Sequence, residues 1–197
     1  PKEIKQLVGQ SVLRPWEISN IPFQPEYPGN RKWNREAAQF RHTPSQSLDS
    51  LQTPTWNRVL AHLGRNLDEP LKTIPWAKNN NIVTGGDYLR IWIASLFQEP
   101  LQPLPYLFFW GDQNCGKSIF HEALTMLLTR GVVRADSALM SASNFNAELE
   151  NAIICVVEET DLRKSMTAYN RIKDWVTAPM LPIHRKNQTP YMVQNAT

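Results

Sequence analysis

Residues 111–118 read Gly-Asp-Gln-Asn-Cys-Gly-Lys-Ser and fit the pattern G-x-x-x-x-G-K-[ST] in full. No other stretch restricts the fold as strongly, because the pattern works only between a buried strand and the start of a helix. Both flanks are present. Tyr106, Leu107, Phe108, Phe109 and Trp110 form an unbroken apolar run bounded by Pro105 and Gly111, too short for a helix, which predicts a buried strand. Downstream, Ile119, Phe120, Ala123, Leu124, Leu127 and Leu128 recur in pairs at helical spacing until Gly131. At the usual glycine abundance of about 7% of residues, a chance match somewhere in a chain of this length has a probability on the order of one in a hundred. The correct order of strand, loop and helix lowers it further.

The chemistry accounts for the residue types. Gly111 and Gly116 let the backbone turn tightly and aim successive N–H groups at phosphate oxygens, and the following helix adds its positive end. Gly111, Asp112, Gln113, Asn114, Cys115, Gly116, Lys117 and Ser118 are therefore the candidate ATP-phosphate ligands, with Lys117 reaching the β- and γ-phosphates and Ser118 ligating Mg²⁺. A second constellation follows. Phe145 and Leu149 suggest a short helix, after which Ala152, Ile153, Ile154, Cys155, Val156 and Val157 form a second apolar strand ending in Glu158 and Glu159. Carboxylates at the carboxyl end of a buried parallel strand lie where ligands bind in open α/β sheets. Glu158 is read as the Mg²⁺ ligand; Glu159, with Lys117, is read as catalytic, polarising the attacking water.

The remainder sets the context. Residues 1–54, with Pro15, Pro22, Pro25, Pro28 and Pro44, read as a proline-rich extended arm or linker. Residues 55–103 read as a small helical region, with one helix on Trp56, Val59, Leu60 and Leu63 and a second over about 87–98. Residues 104–197 are the ATPase core. Within it, 180–183 and 190–193 predict a hairpin whose tip carries His184, Arg185 and Lys186, a candidate grip on a single-stranded DNA backbone. The net charge of +3, from 21 basic and 18 acidic residues, adds only a weak lean toward a polyanion. Two cysteines are too few for a disulfide framework and point to a reducing, cytoplasmic setting, and the four histidines lack ligand spacing. No apolar run is long enough to span a bilayer. The chain starts at Pro1 without a methionine, which suggests a piece of something longer.

The phosphate loop, the acidic pair about forty residues later and the basic hairpin after an intervening helix resemble the superfamily-three helicases. More narrowly, residues 106–197 resemble the helicase part of phage, plasmid and poxvirus-type primase-helicases. The resemblance implies an α/β, AAA+-like P-loop NTPase with a parallel sheet core, truncated at its C-terminal side, and an ATP-dependent helicase or translocase. It further implies a homo-oligomeric ring, usually a hexamer, with Arg185 and Lys186 touching single-stranded DNA in the channel. Glu158 stands where many such ATPases carry aspartate. Asn195 follows Lys186 too closely to be the family's sensor asparagine, so a central strand and an arginine finger are expected elsewhere. A P-loop small-molecule kinase and a nonhelicase ATPase switch protein are the alternatives, separated from the leading reading by whether DNA or a protein partner stimulates hydrolysis.

Overall fold

The fold is a computed structural model that describes residues 2–10, 14–43, 53–140, 145–158 and 165–196. The elements, in chain order, are α1 (Lys2–Gly9), β1 (Glu17–Ser19), β2 (Lys32–Asn34), α2 (Pro54–Gly64), α3 (Asp68–Thr73), α4 (Pro75–Asn79) and α5 (Gly85–Gln98). They continue with α6 (Ile119–Leu127), β3 (Val132–Arg134), α7 (Asp136–Met140), β4 (Ile154–Val156), α8 (Met166–Thr177), β5 (Met180–Ile183) and β6 (Tyr191–Gln194). Among the described residues the strands form three two-stranded sheets: β1 with β2 and β3 with β4, both parallel, and β5 with β6, antiparallel.

The helical region is built on a close backbone approach. Gly64 at the end of α2 meets Gly85 at the start of α5 so tightly that a Cβ on either would overlap the other's main chain. That contact brings Leu60 against Leu89 and Ile93, and the cluster extends to Phe120 and Leu124 of α6. Phe120 carries the coupling, with Phe109, Trp92 and Trp56 ring centroids 5.4, 6.2 and 6.4 Å away. The helix that follows the 111–118 loop is thus anchored by its first turn to α2 and α5. The start of α5 is fixed by a capping box: Thr84 Oγ1 accepts from the Asp87 N–H, and the Asp87 carboxylate accepts from the Thr84 N–H. The Thr84 hydroxyl also donates to that carboxylate and, with Arg90, holds its pKa below the ordinary value.

Residues 106–110 depart from the expected buried strand. They belong to no strand and have no ladder partner among the described residues, and Leu107 and Phe109 pack on the α2–α5–α6 core while Tyr106, Phe108 and Trp110 are 75, 78 and 74% exposed. A strand is buried on both faces only when both are covered, and here only one face is. The β3–β4 pair comes closer to that condition. Val132 and Ile154 face the clusters below α6, whereas Val133 and Cys155 face Ala135, Leu149 and Ile183.

The proline-rich stretch, read as an arm, is laid against this body. Asn34, 3% exposed at the end of β2, adds to the β1–β2 ladder: its Oδ1 accepts from the Ile21 N–H at 2.7 Å, and its Nδ2 donates to the carbonyls of Ile21, Gln24 and Pro25. One asparagine thereby satisfies backbone groups in the proline-rich stretch between the two short strands. Phe23 and Phe40 stack at 4.8 Å and both meet Phe97 edge-on, at 5.4 and 5.0 Å. The Arg41 and Thr129 N–H groups donate to the Leu127 and Gln39 carbonyls at 2.8 Å. No helix among the described residues is long and apolar enough to cross a membrane.

Candidate nucleotide site

The 111–118 loop turns through three positive-φ residues, Gly111 at 151°, Asn114 at 62° and Gly116 at 88°. A Cβ at Gly111 would press to 3.0 Å on the Cys115 sulfur; Gly116 has open space around it but a backbone that side-chain-bearing residues rarely adopt. Lys117 is folded over its own loop, its Nζ donating to the carbonyls of Gly111 at 3.0 Å and Asp112 at 2.7 Å. Ser118 immediately precedes α6, whose helical dipole favours negative charge at this end.

The parallel register then sets the other half of the site. Arg134 pairs with Val156, so the end of β3 lies level with the end of β4, and Glu158 emerges beside the loop. Its Oε1 accepts from the Ser118 hydroxyl and from His121 Nε2, each at 2.9 Å, and its Oε2 forms an ion pair with Arg134. The Glu158 N–H donates to the Asp136 carboxylate at 3.2 Å, which fixes the backbone that carries the glutamate. The His121 ring is held below its ordinary pKa chiefly by desolvation, opposed by Glu122 and reinforced by the Arg134 charge. A neutral ring donates to Glu158 through Nε2. Two hard oxygen donors, the Ser118 hydroxyl and the Glu158 carboxylate, therefore stand side by side, a donor set that suits Mg²⁺ with several retained waters.

The structure brings together Lys117, Ser118 and Glu158 of the residues named from sequence. Glu159 lies outside the described residues. Sequence reasoning missed His121, Arg134 and Asp136. His121 was the most accessible of these, since it falls one turn after Ser118 on the same helix; Arg134 and Asp136 become neighbours only through the strand register.

The second candidate site, at the hairpin, is differently made. The hairpin forms with Leu181 opposite Val193 and Ile183 opposite Tyr191. His184 is tied in by its backbone N–H, which donates to Asn146 Oδ1 at 2.8 Å. Arg185 is paired with Glu150, which also accepts from the Tyr191 hydroxyl. That partner raises the Arg185 pKa further, through the hydrogen bond first and its charge second. Lys186 is exposed at the turn. Asn195 has a structural task, donating to the carbonyls of Trp175 and Ala178 at the end of α8.

Residues 109–197 match a family of unknown function, DUF5906. In sequence the chain is similar to the DNA primase-polymerase of Nitratiruptor phage NrS-1, with 29% identity over 137 residues, which is 64% of this chain and 19% of that protein. In structure it is similar to the apo C-terminal region of NrS-1, with a TM-score of 0.61 and 25% identity over 92% of this chain and 41% of the other. An A-form apo structure of the same region gives a TM-score of 0.59 at 20% identity, over 99% of this chain and 46% of the other. The chain thus spans less than half of the solved region it matches and about a fifth of the curated relative.

These likenesses uphold the resemblance to phage replication proteins and overturn the expectation of an ATP-driven superfamily-three helicase. The relative that shares sequence is a primase-polymerase, and the solved structures are of that protein's C-terminal region. The physical reason for the misreading is that a glycine-rich loop, an acidic strand end and a basic hairpin point at most to anion and metal binding, and motion along DNA is not written in any of them. The hexameric ring was an implication of the same helicase resemblance and has no support of its own.

Proposed function

We propose that this chain is a nucleotide-binding module of a phage-type primase-polymerase, a DNA-replication enzyme of the nucleotidyl-transferring class, and that its 111–118 loop holds the triphosphate of a nucleotide such as ATP. The β3–β4 pair, the loop and α6 are then one edge of a P-loop-type α/β core. The observation that carries the reading is the 2.9 Å contact between Ser118 Oγ and Glu158, which places the hydroxyl and carboxylate of two separate motifs on one side of the loop. Mg²⁺ would be held by these two groups and would screen the phosphate charge.

The chain's own residues divide the remaining work. Lys117 exchanges the Gly111 and Asp112 carbonyls for phosphate oxygens, a substitution of one set of acceptors for another that needs no new cavity. The loop N–H groups and the start of α6 orient the phosphates. His121 and Asp136 hold the Glu158 side chain and backbone in place. The hairpin supplies a contact for single-stranded DNA through Lys186, with Arg185 and His184 bracing the turn.

The test is equilibrium binding of ATP with Mg²⁺, by calorimetry, to this chain and to its Lys117→Ala and Glu158→Gln variants. The reading expects binding in the parent and its loss in Lys117→Ala. Equal affinity in all three would overturn it.

A further inference from the structure

Beside the loop lies an open cavity of about 340 Å³, lined by Thr55, Arg58, Val59 and His62 of α2 on one side and by Gly116 and Ile119 on the other. It exceeds a second cavity of about 200 Å³. Nothing in the motif chemistry uses it. The other, between α7, α8 and the hairpin, is lined by groups such as Asn146 and Arg171 that are already bonded to the backbone of Pro182, Ala138 and Leu139.

Resting on the loop reading above, we infer that this cavity receives the base and ribose of the nucleotide whose phosphates the loop holds. Three features point to that occupant. First, the cavity and the phosphate site share Gly116, whose missing side chain leaves the passage between them open. A ligand entering from the loop side meets no Cβ there. Second, α2 is held to the loop at this point: His62 Nε2 is 3.0 Å from the Cys115 carbonyl, and since a carbonyl only accepts, that nitrogen donates. The cavity wall is therefore in register with the loop. Third, the lining pairs two apolar side chains left partly open to water, Val59 and Ile119, the latter 44% exposed, with the polar groups of Thr55, Arg58 and His62. A flat heteroaromatic ring covers apolar wall with its faces and offers polar edges, and an arginine beside it stacks on its π system. A volume near the lower end of the range for small-molecule sites is enough for a nucleoside.

The experiment separates the nucleoside from the phosphates by comparing ATP with inorganic tripolyphosphate, each with Mg²⁺, as competitors for a fluorescent ATP analogue on the whole chain. The parent should bind ATP at least about tenfold more tightly than tripolyphosphate. Val59→Trp, which fills the cavity, and Arg58→Ala, an exposed change that spares the fold, should each weaken ATP several-fold and leave tripolyphosphate unchanged. Tripolyphosphate binding as tightly as ATP, or both variants binding ATP like the parent, would overturn the cavity assignment and leave the loop reading intact. Failure of tripolyphosphate and ATP alike to bind would overturn the loop reading and this inference with it.

Discussion

Lys117 and Arg185 are both cations in motifs that read as anion grips, yet they are committed in opposite ways. Lys117 rests on two carbonyl oxygens of its own loop, neutral acceptors that a phosphate can replace without leaving a buried charge behind. Arg185 is paired with Glu150, a mostly buried carboxylate that also takes the Tyr191 hydroxyl. Taking Arg185 away to meet DNA would strand that carboxylate. The lesson is that the partner a cation would abandon decides whether its charge is available to a ligand, and a motif shows only the cation.

The sharpest way to break this comparison is to remove each cation in turn. Lys117→Ala should abolish measurable triphosphate binding while the thermal melting curve stays that of the parent, because only backbone carbonyls lose a donor. Arg185→Ala should show the reverse pattern, a lowered melting temperature with nucleotide affinity retained. If the melting curves of the two variants coincide, the distinction fails.

A somewhat smaller effect is expected at Lys186, the exposed cation of the same turn. Lys186→Ala should weaken single-stranded DNA binding and flatten its salt dependence by roughly one phosphate contact, which a titration at several salt concentrations reads directly. An unchanged slope removes Lys186 from the DNA contact.

The two cysteines sharpen the picture of the loop. Burial, aided by Glu148, pushes the Cys155 thiol up to about 12, so it stays protonated and inert at neutral pH. Cys115, partly exposed as Cys155 is, stands within the loop. Alkylation followed by mass spectrometry should label Cys115, with saturating ATP and Mg²⁺ slowing the reaction, and should spare Cys155. Labelling of Cys115 indifferent to nucleotide would count against phosphates lying on this loop.

The smallest change is expected far from the site. Thr84→Ala, which breaks the capping box of α5, should cost about 1 kcal/mol in denaturant unfolding. Because Asp87 has a lowered pKa in the folded chain, its contribution is complete above the ordinary carboxylate value and is lost as pH falls from there through the lowered one. The penalty of Thr84→Ala should therefore shrink in acid; a penalty that stays constant from neutral pH to well below the carboxylate range would contradict the capping role.

How much of this was legible in the sequence depended on whether the signal was local. The periodicity on α2, α5 and α6 and the paired runs of the hairpin report contacts within one element, and those elements formed close to the expected residues. β3 escaped because Val132, Val133 and Arg134 are too few to show a period, and their strand character comes from the β4 partner. Residues 106–110 failed in the other direction: a continuous apolar run reads as burial on both faces, but Tyr106, Phe108 and Trp110 face outward. In the site, Ser118 and Glu158 were readable because each ends a motif of its own. Arg134 and Asp136 were not, since their role follows from a register between two strands twenty-two residues apart. Function was the least legible of all, because the same loop serves proteins whose chemistry differs.

The proposed nucleotide site requires Ser118 and Glu158 to act together. The direct measurement is the affinity of the chain for ATP with Mg²⁺ and with the metal removed by chelation, repeated on Glu158→Gln. The prediction is tighter binding with Mg²⁺ in the parent and little or no metal dependence in the variant. Binding that ignores Mg²⁺ in the parent, or a variant that keeps the full metal effect, would contradict it.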